Sequence, residues 1–179
     1  MNFYELLGER AKSFGDKIFL QIDEQIFTYK NFLQADSTSE FFNQAKNFLT
    51  SNRENIFEVR TGGSTGKPKA LSRTFESWAE FFPTQNKIFR LDEHSKVFMH
   101  GDLNFTGNLN TFLAVLHAGG TIVTSEKFAP KTWLELIKNS TARRFSYITA
   151  RASLVSSRTK KLPPIMLPTF KISASRSTE

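Results

Sequence analysis

Apolar side chains recur every three or four positions at the start of the chain, at Phe3, Leu6, Leu7, Ala11 and Phe14. That spacing predicts an amphipathic helix, opened by the capping pair Asn2 and Glu5 and ended at Gly15-Asp16. The pattern then changes. Ile18-Phe19-Leu20-Gln21-Ile22 and Ile26-Phe27-Thr28-Tyr29, joined by Asp23-Glu24-Gln25, predict a β-hairpin. Lys30 to Ala35 is expected to start another helix. Ser37-Thr38-Ser39-Glu40 offers a second capping box, followed by Phe41, Phe42, Ala45, Phe48 and Leu49 on one helical face.

Further along, Ile56-Phe57-Glu58-Val59 and Ala70-Leu71-Ser72 predict strands. Phe75, Trp78, Ala79 and Phe82 predict a helix broken or bent at Pro83, with its aromatic stripe read as core packing. Val97-Phe98-Met99-His100 predicts a buried strand and residues 101–107 a loop. Leu109, Phe112, Leu113 and Leu116 predict a helix closed by Gly119-Gly120. Thr121–Thr124 predicts a strand, Pro130 opens a helix, Phe145–Ile148 predicts another strand, and Ser153–Ser157 begins a helix. Strand and helix alternate from residue 95 to 155, which predicts βαβ units in a three-layer α/β fold on a mostly parallel sheet. Three prolines between Leu162 and Pro168 exclude a regular central element there. Phe170–Ser175 predicts one more strand. Residues 1–155 are expected to form one domain, and 156–179 a basic, proline-rich tail that is poorly ordered or aberrant.

With 39% hydrophobic and 23% charged residues, the 179-residue chain reads as globular, and its 19 phenylalanines mark aromatic-rich packing. It has no cysteine, which excludes disulfides and thiolate chemistry. His94, His100 and His117 lack metal-ligand spacing, so no metal site is expected. The net charge is +7, but residues 151–179 carry six basic side chains against one acidic. The basicity belongs to the tail, where a solvated tail is favoured over a nucleic-acid surface. No segment reads as a membrane span or signal peptide, so the cytoplasm is the expected location.

The candidate chemistry is concentrated in Thr61-Gly62-Gly63-Ser64-Thr65-Gly66-Lys67-Pro68-Lys69, directly after a predicted strand. Glycines let backbone N–H groups approach an anion closely, and Ser64, Thr65 and Lys67 or Lys69 add hydroxyl donors and charge. The implied ligand is phosphate, most naturally that of a nucleotide. A Walker A loop would need glycine at Thr61 and Ser or Thr at Pro68, and a GxGxxG spacing does not occur. The stretch resembles instead the phosphate-binding signature of adenylate-forming enzymes, Thr-Ser-Gly-Ser/Thr-Thr-Gly-x-Pro-Lys-Gly. It departs at Gly62 and at Ala70. Thr28-Tyr29-Lys30-Asn31-Phe32 resembles the Thr-Tyr-x-Glu-Leu segment of the same family. So does the run Val97–His100, Phe105-Thr106-Gly107, Leu116-His117-Ala118-Gly119-Gly120 and Thr121–Thr124.

The resemblance covers residues 1–35 and 56–155, the front part of the family's N-terminal domain, with the region between hairpin and loop much shortened. It implies an AMP-dependent ligase that activates a carboxylic acid with ATP and Mg²⁺ to an acyl-AMP. A thioester with CoA or an acyl carrier protein then follows. It also implies a substrate wall at Phe105 and Gly107, with His100 as the alternative wall residue. The family's Tyr-Gly-x-Thr-Glu, Thr-Gly-Asp and C-terminal lysine segments do not occur in these 179 residues. No catalytic residue is therefore assigned, and the chain is expected to be truncated and inactive alone, or complemented by a second chain carrying those segments. The alternative is a non-catalytic nucleotide- or protein-binding remnant that keeps the loop.

Overall fold

The computed structural model describes residues 1–51, 56–61, 69–127 and 129–138. Helix α1 (Phe3–Phe14) begins with the expected reciprocal cap, the Asn2 side chain accepting from the Glu5 amide at 2.9 Å and Glu5 accepting from the Asn2 amide at 3.1 Å. It buries Phe3, Leu6 and Leu7 and ends at Gly15. Strands β1 (Ile18–Ile22) and β2 (Gln25–Thr28) form the predicted antiparallel hairpin.

The main sheet also contains β5 (Lys96–Phe98) and β6 (Thr121–Thr124), in the order β2-β1-β6-β5. Both β1–β6 and β5–β6 pair in parallel, so the sheet is mostly parallel. Helix α5 (Thr106–Ala118) links β5 to β6 and is buried from Thr111 to Leu116. Helix α6 (Pro130–Lys138) follows β6 and covers the other face, where its Trp133 packs on Phe98 and Val123. Alternation along the strands sends Val97 and Ile122 into the main core with α1 and α5. These helix–sheet–helix layers are the expected architecture.

The front hairpin is locked to this unit at the α5–β6 turn. Gly119 has φ +76°, and a Cβ there would lie 2.3 Å from the Phe14 ring. Lys17 Nζ donates to the carbonyls of Gly119, at 2.5 Å, and of Glu93, while Tyr29 Oη donates to Gly120 O at 2.7 Å. The Ala-Gly-Gly run is thus a docking point for both α1 and the hairpin.

Several local expectations are corrected. Lys30–Ala35 forms successive turns rather than a helix. The Thr28 amide donates to Asn31 Oδ1 and the Asn31 amide to Thr28 Oγ1, a local arrangement that competes with helix propagation. Helix α2 (Glu40–Ser51) is capped by Ser39, whose hydroxyl accepts from the Phe42 amide, and not by Ser37, which binds Gln25. The stripe from Phe75 to Phe82 is split between α3 (Phe75–Ala79) and α4 (Phe82–Phe89), with Pro83 in the first turn of α4. Strand β5 ends at Phe98, although the Met99 amide still bonds to Val123 O, so His100 stands beyond the ladder. The expectations for Phe145–Ile148, Ser153–Ser157 and the tail lie outside the described residues.

Candidate functional site

Strands β3 (Ile56–Thr61) and β4 (Lys69–Thr74) form a separate antiparallel pair with continuous register from Ile56↔Thr74 to Thr61↔Lys69. The strand expected before the glycine-rich stretch is present, and that stretch connects the far ends of a hairpin. Residues 62–68, which hold Gly62, Gly63, Ser64, Thr65, Gly66 and Lys67, lie outside the described residues, while Thr61 and Lys69 pair at the loop's base.

Alternation along β3 leaves Ile56 and Glu58 exposed and buries Phe57 and Val59. Phe57 stacks on Trp78 at 5.2 Å and 13°, and meets Phe3 at 5.4 Å and Phe48 at 5.7 Å. From β4, the Arg73 guanidinium lies 5.1 Å from the Trp78 ring and bonds to the Ser77 hydroxyl and carbonyl, both at 3.2 Å. The indole Nε1 donates to Asn110 Oδ1 of α5 at 2.5 Å, and Asn110 Nδ2 donates to Gln85 Oε1 of α4 at 2.9 Å. The hairpin base is therefore held by stacked rings and a polar chain reaching into α5.

A second feature lies at the carboxyl ends of β5 and β6. The connection after β5 leads to α5 on one face and that after β6 leads to α6 on the other, so a crevice opens where they diverge. A cavity of about 170 Å³ there is lined by His100, Gly101 and Asp102 from one connection, Ser125 and Glu126 from the other, and Gln44 of α2 among others. His100 Nδ1 lies 3.1 Å from Ser125 O. A carbonyl only accepts, so Nδ1 is assigned the proton and Nε2 is left as the acceptor of the neutral ring. The imidazole packs 4.2 Å from the Trp133 ring. Gly101 has φ +109°, and a Cβ there would sit 2.9 Å from Asn108 Nδ2, which bonds to Asp102 O at 3.0 Å. Glu126 accepts from the Ser39 hydroxyl and, at 3.5 Å, from the Phe41 amide, tying the start of α2 to the end of β6.

Of the predicted wall residues, only His100 lines this cavity. Phe105 is 54% exposed and precedes α5, and Gly107 stands in the first turn of that helix. Among the described residues no group of three His, Cys, Asp or Glu side chains could hold a metal ion. None of the described helices is long and apolar enough to cross a membrane. Sequence reasoning placed Trp78 in the core but missed its link to Asn110. The available signal was Asn110 beside Thr111, polar residues set between the apolar Leu109 and Phe112.

A sequence model of the AMP-binding enzyme family matches residues 51–154, more than half of the chain. The chain belongs to that family, and the match spans the glycine-rich stretch and the β5-α5-β6 unit. It is 39% identical over 77 residues to the uncharacterized acyl-CoA ligase YhfT of Bacillus subtilis, a match covering 41% of this chain and 16% of that protein. It is 26% identical over 101 residues to a linear gramicidin synthase of Brevibacillus parabrevis, covering 56% of this chain and 2% of that one. The chain therefore spans a minor part of the curated relatives it matches. Its fold is shared by solved structures, of which two serve as examples. One is a Rhodopseudomonas palustris protein assigned as a long-chain-fatty-acid CoA ligase (TM-score 0.60, 11% identity, 78% of this chain and 61% of that one). The other is the O-succinylbenzoate CoA synthetase of Bacillus subtilis bound to AMP (TM-score 0.59, 12% identity, 75% and 46%).

Proposed function

We propose that this chain supplies the phosphate-gripping part of an acyl-CoA ligase-like site, in which a carboxylate attacks the α-phosphorus of ATP, forming an acyl-AMP and releasing pyrophosphate. A thioester with CoA or a carrier protein then follows. The observation that carries this reading is the position of the glycine-rich stretch. It joins the ends of a strand pair whose register runs to Thr61↔Lys69, within the segment matched to the AMP-binding family. Backbone N–H groups of Gly62, Gly63 and Gly66, the hydroxyls of Ser64 and Thr65, and the Lys69 ammonium form a donor set suited to polyphosphate. Such donors act by positioning and by offsetting charge on the leaving phosphates. Lys67, which precedes Pro68, contributes less. The crevice at His100, with Phe105 and Gly107 on the adjoining rim of α5, receives the acid. ATP enters as a substrate, with Mg²⁺ implied by the family alone.

Taken as these 179 residues alone, the chain does not complete the reaction, because the orienting segments for adenine, ribose and carboxylate named above are not among them. Lost orientation can raise a barrier by about 7–11 kcal/mol at the extreme. The same observation favours a second reading, a nucleotide-binding module without ligase activity. The domain reading, residues 1–155 as a shortened nucleotide-binding domain and 156–179 as its tail, belongs to this proposal. So does a soluble cytoplasmic setting.

The test is ATP–pyrophosphate exchange and mass-spectrometric detection of acyl-AMP with a panel of fatty and aromatic acids, alongside calorimetry with ATP. We expect ATP binding and no acyl-AMP from the chain alone. Lys69→Ala should weaken ATP binding by about 1.5–3 kcal/mol, the scale of one charged hydrogen bond. Exchange and acyl-AMP restored by a second chain bearing the missing segments would favour the ligase reading over the binding module. Robust acyl-AMP without one would overturn the stated incompleteness.

A further inference from the structure

The polar chain from Trp78 to Gln85 has a fixed direction. An indole nitrogen can only donate, so Asn110 must present its oxygen to Trp78 and its amino group to Gln85. Gln85 then accepts through Oε1, and its own Nε2 is left with no hydrogen-bond partner, although the residue is 2% exposed. A buried donor without an acceptor destabilises the fold. A packed apolar trio of similar shape would avoid that cost. The arrangement also occupies a particular place. Trp78 carries Phe57 of β3 stacked on its ring and Arg73 of β4 at 5.1 Å, so both strands of the hairpin meet on one side chain. Asn110 lies one turn into α5, the helix that begins at the rim of the His100 crevice.

We infer that Asn110, acting through the Trp78 indole, is a positioning residue that sets where the β3–β4 hairpin rests against α5. The strut links the phosphate-binding end of the site to the helix beside the acid-binding crevice. Pure packing would hold the hairpin against the core; the directional bond fixes how Trp78 is rotated, and therefore where Phe57 and Arg73 rest. This rests on the proposed function only for its consequence in nucleotide binding. The mechanical link stands on the hydrogen bonds and ring contacts themselves.

The test measures amide hydrogen exchange across the 179-residue protein together with ATP affinity, for the parent and three variants. Asn110→Leu keeps the branched shape with a somewhat larger side chain and removes both hydrogen bonds. Trp78→Phe keeps a ring on Phe57 and removes the donor together with the rest of the indole. Asn110→Asp keeps an acceptor for the indole. In the first two, exchange at β3 and β4 should accelerate about tenfold or more, the scale of at least one lost buried hydrogen bond, with β1 and β6 unchanged. ATP affinity should fall by a similar factor. In Asn110→Asp both quantities should stay near the parent. If Asn110→Leu fails to fold, Trp78→Phe carries the same expectation. Unaltered hairpin exchange, or exchange raised equally in every strand, overturns the inference. No rescue in Asn110→Asp overturns it too. A parent that binds no ATP defeats the proposed function instead, and the exchange pattern then decides the strut alone.

Discussion

The four-stranded sheet and the β3–β4 hairpin use the same residue types to different ends. In the sheet, β6 is buried at every position, and helices pack on both faces of β5 and β6, so these two strands are fixed from two sides. The hairpin is held from one side only. Phe57 and Val59 face the core, while Ile56 is 62% exposed and Leu71 is 47% exposed on the outside. A two-stranded pair is marginal without a supporting layer. Here the support is a set of rings, Phe3, Phe48 and Trp78, gathered from three helices. The platform and the hairpin that carries the glycine-rich stretch are separable in stability. The sheet sets global stability, whereas the hairpin can open locally without taking the rest of the fold with it.

The largest effect should come from Phe112→Ala. That ring is fully buried between Phe19 at 5.6 Å and Phe41 at 6.4 Å. Its loss should cost about 3–5 kcal/mol in denaturant unfolding. A value below about 1 kcal/mol would show that the α5–sheet interface is not the main core. Phe57→Ala removes a ring of equal size from the hairpin, yet its global cost should stay below about 3 kcal/mol, because local opening limits what global unfolding reports. Exchange protection in β3 and β4 should be lost in that variant. Equal global losses for the two substitutions would erase the distinction between the regions.

Tyr29→Phe tests the tie between the front hairpin and the Gly119-Gly120 turn. It removes the hydrogen bond to Gly120 O without opening a cavity, and should cost about 1–2 kcal/mol by thermal or chemical unfolding. No loss would mean that Phe14 against Gly119 and the Lys17 contacts suffice to hold the turn.

The smallest effect is a pH dependence at His117. Burial first, and then the charge of Arg10, hold its pKa below the ordinary 6.5. The Arg10 guanidinium donates to His117 O at 2.6 Å, and the neighbouring Asn86 Nδ2 lies 3.5 Å from the ring Nδ1. The folded state therefore binds a proton less readily than the unfolded chain. Stability present above pH 6.5 should decline as pH falls through 6.5 towards the lowered folded value. Melting temperatures recorded across that window, for the parent and for His117→Gln, check this. A slope that persists in His117→Gln would assign the dependence to another group.

Where a structural signal was local, the sequence carried it. The Asn2–Glu5 cap, the first hairpin and the glycine closure of α5 each depend on a few adjacent residues, and each was legible. So was the strand leading into Thr61. Lys30–Ala35 misled because its propensity favours helix, while the reciprocal Thr28–Asn31 bonds and the burial of Tyr29 and Phe32 favour turns. Tertiary structure alone decided how distant residues meet. It put β3 and β4 in a sheet of their own and sent α5 and α6 to opposite faces, so that the crevice opens beside His100. It also brought Asn110 to Trp78, residues 32 positions apart. Periodicity reports which face of an element is apolar. Which other element covers that face, and which polar atom it delivers there, is set by packing across the whole chain.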